Sequence, residues 1–355
     1  MFPWDTLAGV TALARSHPDG IVDLSVGTPV DPVAPLIREA LAAASAAPGY
    51  PTTAGTPALR ASAAAALHRR YGITGLDDAV LPVIGTKELI AWLPTLLGLG
   101  PNDVIAVPEL AYPTYEVGAQ LAGAQVVRAD SLTQLGPQSP ALIYLNSPSN
   151  PTGKVLGTEH LRKVVGWARE RGVLVASDEC YLGLGWDAQP ISVLHPSISE
   201  GDHTGLLAVH SLSKSSSLAG YRAGIVAGDP AVVAELLAVR KHAGMMVPTP
   251  VQAAMVAALD DDAHEHEQRE RYSRRRAALL PALQSAGLTV DDSEAGLYIW
   301  ATRGEPCRDT VGWLAQRGIL VAPGEFYGPR GSAHVRIALT APDERISAAV
   351  QRLTA

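Results

Sequence analysis

The stretch His210–Gly224, HSLSKSSSLAGYRAG, decides how this chain is read. It follows the apolar run GLLAV, which has the pattern of a short buried strand. The strand runs out into serines, a lysine and, eight residues past that lysine, Arg222. Lysine is scarce here: Lys87, Lys154, Lys163, Lys214 and Lys241 stand against 23 arginines. Taken alone, S-x-S-K is a polar loop with a solvated lysine. The surroundings of Lys214 argue otherwise.

On both sides of this stretch, short apolar strands alternate with helical patterns. VLPVIG (Val80–Gly85) leads into TKELIAWLPTLLGLG, and DVIAVPE leads into a helix around Tyr115–Ala122 followed by AQVVRA. ALIYLN (Ala141–Asn146) precedes the helix TEHLRKVVGWARERG, and VLVASDE (Val173–Glu179) follows it. RAGIVAG (Arg222–Gly228) and PAVVAELLAVRKHAG continue the series. Such alternation predicts an α/β fold with a mostly parallel central sheet, in which ligands bind beyond the carboxyl ends of strands. From Thr249 one long helical pattern runs to about Gly287, and an α+β pattern with a helix near Cys307–Arg317 closes the chain. The expected organisation is an N-terminal segment (1–40), a large domain (41–265) and a small domain (266–355).

Composition narrows the function. Apolar content of 47% and charged content of 18% suit an ordinary globular protein. A net charge of −7 lacks the electrostatic footprint of a nucleic-acid binder. The basic run RERYSRRR and the acidic DDDAHEHE before it read as solvated helix charges, and HEHE (His264–Glu267) as solvated rather than metal-binding. Two cysteines, Cys180 and Cys307, exclude a disulfide framework and a Cys-rich zinc site. The N-terminus MFPWDTLAGV has no signal-peptide pattern, and no apolar run has membrane-spanning length, so a cytoplasmic protein is expected.

The strand ends collect the chemistry. Asp178, directly after an apolar strand, is a carboxylate that needs a cationic partner if it is buried. Lys214 stands where burial can depress an amine's pKa and make it nucleophilic. Ser211, Ser213 and Arg222 suit a phosphate, and GTKE offers helix N-terminal amides at Thr86 and Lys87 as a second anion site. An imine-forming lysine, a phosphate site and a carboxylate for a ring nitrogen together describe pyridoxal phosphate binding.

Four motifs then resemble those of the fold-type I, class I/II pyridoxal-phosphate aminotransferases, in the right order and across essentially the whole chain. NSPSNPTG resembles the family's N-P-x-N-P-T-G, SDECY its D-E-x-Y, SLSKSSSLAGYRAG its S-x-S-K-x-x-x-x-x-G-x-R-x-G, and HVRIAL its carboxylate-binding arginine motif. Ser147 stands where many relatives have proline. The resemblance implies that Lys214 binds the cofactor as a Schiff base and Asp178 pairs with its pyridine nitrogen. Tyr181 and Asn150 would bond the ring's phenolic oxygen, and Tyr112 would stack on the ring. Ser211, Ser213, Arg222 and the backbone at Thr86 and Lys87 would hold the phosphate, joined by Tyr50 from the partner subunit of a homodimer. Arg336 would grip the substrate α-carboxylate, with Gly27 beside it.

Amino acids and 2-oxo acids are the implied substrates, exchanged by ping-pong chemistry. LSVGTPVDPV, GYPTTAGTPALR and VLPVIGTKELIAWLPTLLGLG are most similar to the actinobacterial type of N-succinyldiaminopimelate aminotransferase, of lysine and diaminopimelate biosynthesis. That substrate needs a cation for its distal carboxylate, for which Lys87 is the candidate. Alternatives are an aminotransferase for aspartate, aromatic amino acids or histidinol phosphate, and a C–S β-lyase using the same cofactor. A transcriptional regulator built on this fold is disfavoured, because the pattern begins within the first thirty residues. His210 is expected to be a hydrogen-bonded core histidine.

Overall fold

The computed structural model describes residues 3–77 and 79–355. Seven strands form the main sheet: β1 (Val80–Ile84), β2 (Val104–Val107), β3 (Gln125–Arg128), β4 (Leu142–Asn146), β5 (Leu174–Asp178), β6 (Leu206–Ser211) and β7 (Ala223–Gly228). Their order is β1-β7-β6-β5-β4-β2-β3. All pairings are parallel except those of β7, which is antiparallel to both β1 and β6.

Both faces of this sheet are covered, so its strands read as apolar runs rather than as alternating ones. Side chains on successive positions go to opposite faces. Ile143 and Leu145 of β4 join a core with helices Pro57–Tyr71, Thr158–Arg171 and Thr249–Asp260. Leu142 and Tyr144 join another with helices Thr86–Leu96, Thr114–Ala122 and Pro230–Ala243.

A second, four-stranded antiparallel sheet has the order Ala322–Pro323, His334–Ala338, Tyr298–Thr302, Thr289–Asp291. Near the N-terminus, Val22–Asp23 pairs in parallel with Ile319–Leu320.

The long helical pattern after Thr249 divides into Thr249–Asp260 and Ala263–Ser285. Asp261 makes the break. Its backbone is extended, and its carboxylate accepts the His264 amide at 2.9 Å. The charges beyond it are solvated on one side only. His266 and Glu267 are exposed, whereas His264, Gln268, Tyr272 and Arg275 are buried. Arg275 pairs with Asp31 at 2.5 Å, so part of the basic run serves the interior.

Candidate active site

Sheet topology brings the motif residues to one edge. β4, β5 and β6 end side by side at Asn146, Asp178 and Ser211. β1 leads over Gly85 into the helix that starts at Thr86. Because β7 is antiparallel, its beginning lies at this edge. That is why Arg222 precedes its strand while Asn150, Tyr181 and Lys214 follow theirs.

Asp178 is 6% exposed and buried on the sheet edge. Its Oδ2 accepts the Tyr115 hydroxyl at 2.7 Å, and its Oδ1 accepts the Cys180 amide at 3.2 Å. Burial raises its pKa above the usual carboxylate value despite these donors. A cation against it would reverse that cost. Lys214 lies in the four-residue helix Leu212–Ser215, capped by Ser211, whose hydroxyl accepts the Ser213 amide at 3.1 Å. Its Nζ donates to Gly27 O at 2.5 Å, and burial lowers its pKa. An amine so placed tends toward the neutral, nucleophilic form.

Arg222 adopts a left-handed backbone (φ 56°), and its Nη1 donates to Ala219 O at 2.7 Å. Its guanidinium lies so close to Gly85 that a Cβ there would overlap it. The guanidinium, the first amides of helix Thr86–Leu96 and Ser211 and Ser213 thus share the edge, a donor set that fits a phosphate. Lys87 is exposed on the first turn of that helix.

Arg336 is 3% exposed, yet no carboxylate pairs with it among the described residues, and its Nε has no hydrogen-bond partner. Its Nη1 donates to Asn150 Oδ1 at 2.9 Å and its Nη2 to Ser25 O at 2.8 Å. Its Cζ lies 3.9 Å from the ring centroid of Tyr298 and 4.9 Å from that of Tyr327. Tyr181 and Tyr298 join hydroxyls at 3.2 Å, and Gly27 abuts Tyr298 so closely that no Cβ fits. Tyr112 meets Tyr115 edge to face, and burial pushes its phenol up to about 12.

The fold therefore gathers Gly27, Thr86, Tyr112, Asn150, Asp178, Tyr181, Ser211, Ser213, Lys214, Arg222 and Arg336 at this edge and its mouth. Tyr50 is 97% exposed and takes no part in this chain's own cradle. Four contributors have no motif to mark them: Ser25, Tyr115, Tyr298 and Tyr327. Ser25 does lie in the stretch LSVGTPVDPV and Tyr115 opens the helix expected around Tyr115–Ala122, whereas Tyr298 and Tyr327 fall in the closing α+β pattern with nothing to single them out.

His210 is buried and stacks on Tyr71 with ring centroids 5.9 Å apart, but its Nε2 has no hydrogen-bond partner. It lies 3.6 Å from Glu179 Oε2, which is likewise unpartnered. Burial pushes the imidazole down to about 4 and the Glu179 carboxyl up to about 7. The expected hydrogen-bonded histidine is thus a stacked one. A cavity of about 360 Å³ on the far side of the Asn150 loop, bounded by Leu135, Ile143 and Lys154, takes none of the cradle residues. Among the described residues no cluster suits a metal ion, and no helix is long and apolar enough to cross a membrane.

The pattern of the aminotransferase class I and II family matches residues 19–353. The chain belongs to this family. It is an aminotransferase, and its cofactor is pyridoxal 5′-phosphate, which the buried carboxylate, the amine and the phosphate-suited donors above fit. It is 81% identical to a probable aminotransferase of Mycobacterium tuberculosis, Rv1178, over 100% of this chain and 85% of that one. It is 58% identical to the Streptomyces rimosus 4-dedimethylamino-4-oxo-anhydrotetracycline transaminase OxyQ, over 99% and 98% of the two chains. Among solved structures, a probable N-succinyldiaminopimelate aminotransferase from Thermus thermophilus superposes with a TM-score of 0.88. Identity there is 29%, with 99% of each chain covered. The α/β architecture is that of the fold-type I enzymes.

Proposed function

We propose that this aminotransferase moves an amino group between glutamate or 2-oxoglutarate and N-succinyl-2-amino-6-oxopimelate, in diaminopimelate and lysine synthesis. The observation that carries the amino-acid part is Arg336: a guanidinium 3% exposed, with no carboxylate partner among the described residues. A charge so buried is costly until an anion joins it. A substrate α-carboxylate is such an anion, and both substrates of a ping-pong exchange carry one.

In this reading Asp178 pairs with the ring nitrogen and Tyr112 stacks on the ring. Tyr181 and Asn150 bond the ring oxygen, while Ser211, Ser213, Arg222 and the amides of Thr86 and Lys87 hold the phosphate. Bound there, pyridoxal phosphate supplies the electron sink for carbanion chemistry at Cα. Lys214 would be the base that takes the Cα proton and hands it to the cofactor carbon two atoms away, on the far side of the shared nitrogen. Arg336 and Gly27 hold the carboxylate, so that the Cα proton faces the amine. Tyr50, 97% exposed, reaches the phosphate of a second copy in a homodimer. The enzyme is cytoplasmic, and its large and small domains divide near residue 265.

Support for the long acidic substrate comes from the fold-wide likeness to the Thermus protein and from Lys87, exposed beside the cradle, as the distal cation. One observation favours a second reading. Trp4, Leu110 and Phe326 pack on Trp300 and Tyr327 beside Arg336, an aromatic wall that suits a flat ring. The 58% identical relative is named for a ring substrate of that shape.

The test compares kcat/KM for the succinylated substrate with those for aspartate, alanine, aromatic amino acids, histidinol phosphate and an oxo-anhydrotetracycline. The succinylated substrate should lead by tenfold or more, a difference of about 1.4 kcal/mol. A clear lead for any other compound moves the enzyme to that pathway. Ammonia in place of a 2-oxo acid product would mark a lyase.

A further inference from the structure

Helix Ala263–Ser285 turns four buried polar side chains to one face: His264, Gln268, Tyr272 and Arg275. Steps of three and four residues keep them in line. The Tyr272 hydroxyl donates to Lys214 O at 3.2 Å. His264 bonds Asp261 Oδ2 through Nδ1 at 2.7 Å and Ser216 Oγ through Nε2 at 2.8 Å. Farther along, Gln268 donates to Asp31 Oδ2 at 2.8 Å, and Arg275 grips both oxygens of Asp31 at 2.5 and 2.8 Å.

The Asp261–His264–Ser216 line has the order of a nucleophile triad. It is not placed to act as one. Ser216 is 3% exposed and His264 8%, so no acyl group can reach the hydroxyl. What the line does is tie the helix to the residue two positions past Lys214. The last carbonyls of the short helix Leu212–Ser215 have no intrahelical donors, and Tyr272 supplies one at Lys214 itself.

The same helix also governs the other end of the lysine. Asp31 closes the segment 24–31, whose Gly27 carbonyl accepts Lys214 Nζ at 2.5 Å. Ser25 O of this segment holds Arg336, and Val26 O accepts the Thr340 hydroxyl at 3.2 Å. Main chain and amine of Lys214 are therefore both referred to a single helix face.

We propose that Tyr272 and His264 are positioning residues for Lys214, with Gln268 and Arg275 fixing the segment whose Gly27 carbonyl receives its amine. The inference rests on the catalytic role proposed above for Lys214. A proton-transferring amine displaced by a fraction of an ångström loses rate without losing substrate.

The test uses Tyr272→Phe, His264→Ala and His264→Gln, whose amide can still reach Ser216. In the holoenzyme, Tyr272→Phe and His264→Ala should lower kcat about 5- to 30-fold. KM for the amino donor should stay within about twofold, because Arg336 is untouched. In the apoprotein, labelling of Lys214 by fluorodinitrobenzene, followed by mass spectrometry across pH, should shift to a higher midpoint as the amine gains water. His264→Gln should recover both properties. A fall in melting temperature alone, with kcat and labelling midpoint unchanged, would show these residues to be merely structural. Should the wild type bind no pyridoxal phosphate, the proposed function fails, while the labelling experiment still decides this inference.

Discussion

Arg336 Nη1 donates a 2.9 Å hydrogen bond to Asn150 Oδ1, across 186 positions of chain. The bond joins a strand of the four-stranded sheet to the loop that follows β4. It holds the guanidinium proposed to bind the substrate carboxylate in register with the group proposed to touch the cofactor ring.

Removing that guanidinium should cost both half-reactions alike. Arg336→Ala leaves a substrate carboxylate without its partner, a loss of roughly 2–5 kcal/mol for a desolvated charge pair. Single-turnover rates with glutamate and with the long 2-oxo acid should fall together. Asn150→Ala should weaken both to a lesser degree, because the guanidinium keeps its bond to Ser25. Loss of one half-reaction with the other intact would place the two carboxylates at different sites.

Three of the four family motifs were legible because each sits where an apolar strand gives way to polar residues; the fourth, HVRIAL, was legible as an arginine inside an otherwise apolar strand. That boundary marked Asn146–Asn150, Asp178 and Ser211–Lys214 before any contact was known. Tyr115 and Tyr298 were not legible as site residues. The Tyr115 hydroxyl meets Asp178 across 63 positions, and Tyr298 packs against Gly27 from another sheet. Such encounters depend on register between distant elements, which local pattern does not carry. His264 shows the same limit. In the charged run DDDAHEHE it looked solvated, and only its Ser216 and Asp261 partners reveal the buried face.

Lys214 should make the apoprotein's stability depend on pH. Burial holds its pKa below the ordinary value of 10.5. The unfolded chain therefore binds more protons than the folded one in the window below 10.5, and stability from this group rises with pH through it. At pH 7 the cost of burial is still present. Lys214→Met removes the charge and fills the space, so the variant apoprotein should melt a few degrees higher at pH 7. The gap should narrow as pH climbs toward 10. A gap that stays constant with pH, or reverses at pH 7, would mean that the Gly27 carbonyl already compensates the amine in full.

Tyr50 gives the sharpest test of a shared site. Its side chain is 97% exposed, an unusual state for an aromatic ring in a chain whose other tyrosines are largely covered. Within one chain it holds nothing at the cradle. In a homodimer of the proposed kind its hydroxyl would contact the phosphate held by the second copy's Arg222 and Ser211. Tyr50→Phe would then lower activity by weakening cofactor retention, and Lys214→Ala would abolish it outright. In a mixed dimer, one of the two sites would combine the Tyr50 of one chain with the Lys214 of the other, and both would be native. Mixing the two inactive or impaired variants should therefore restore activity to about a quarter of the wild-type level at equal amounts, from half the dimers having one good site of two. Size-exclusion chromatography with differently tagged chains confirms the exchange of subunits. Activity no greater than the sum of the separate variants, with exchange demonstrated, places Tyr50 outside the partner's site.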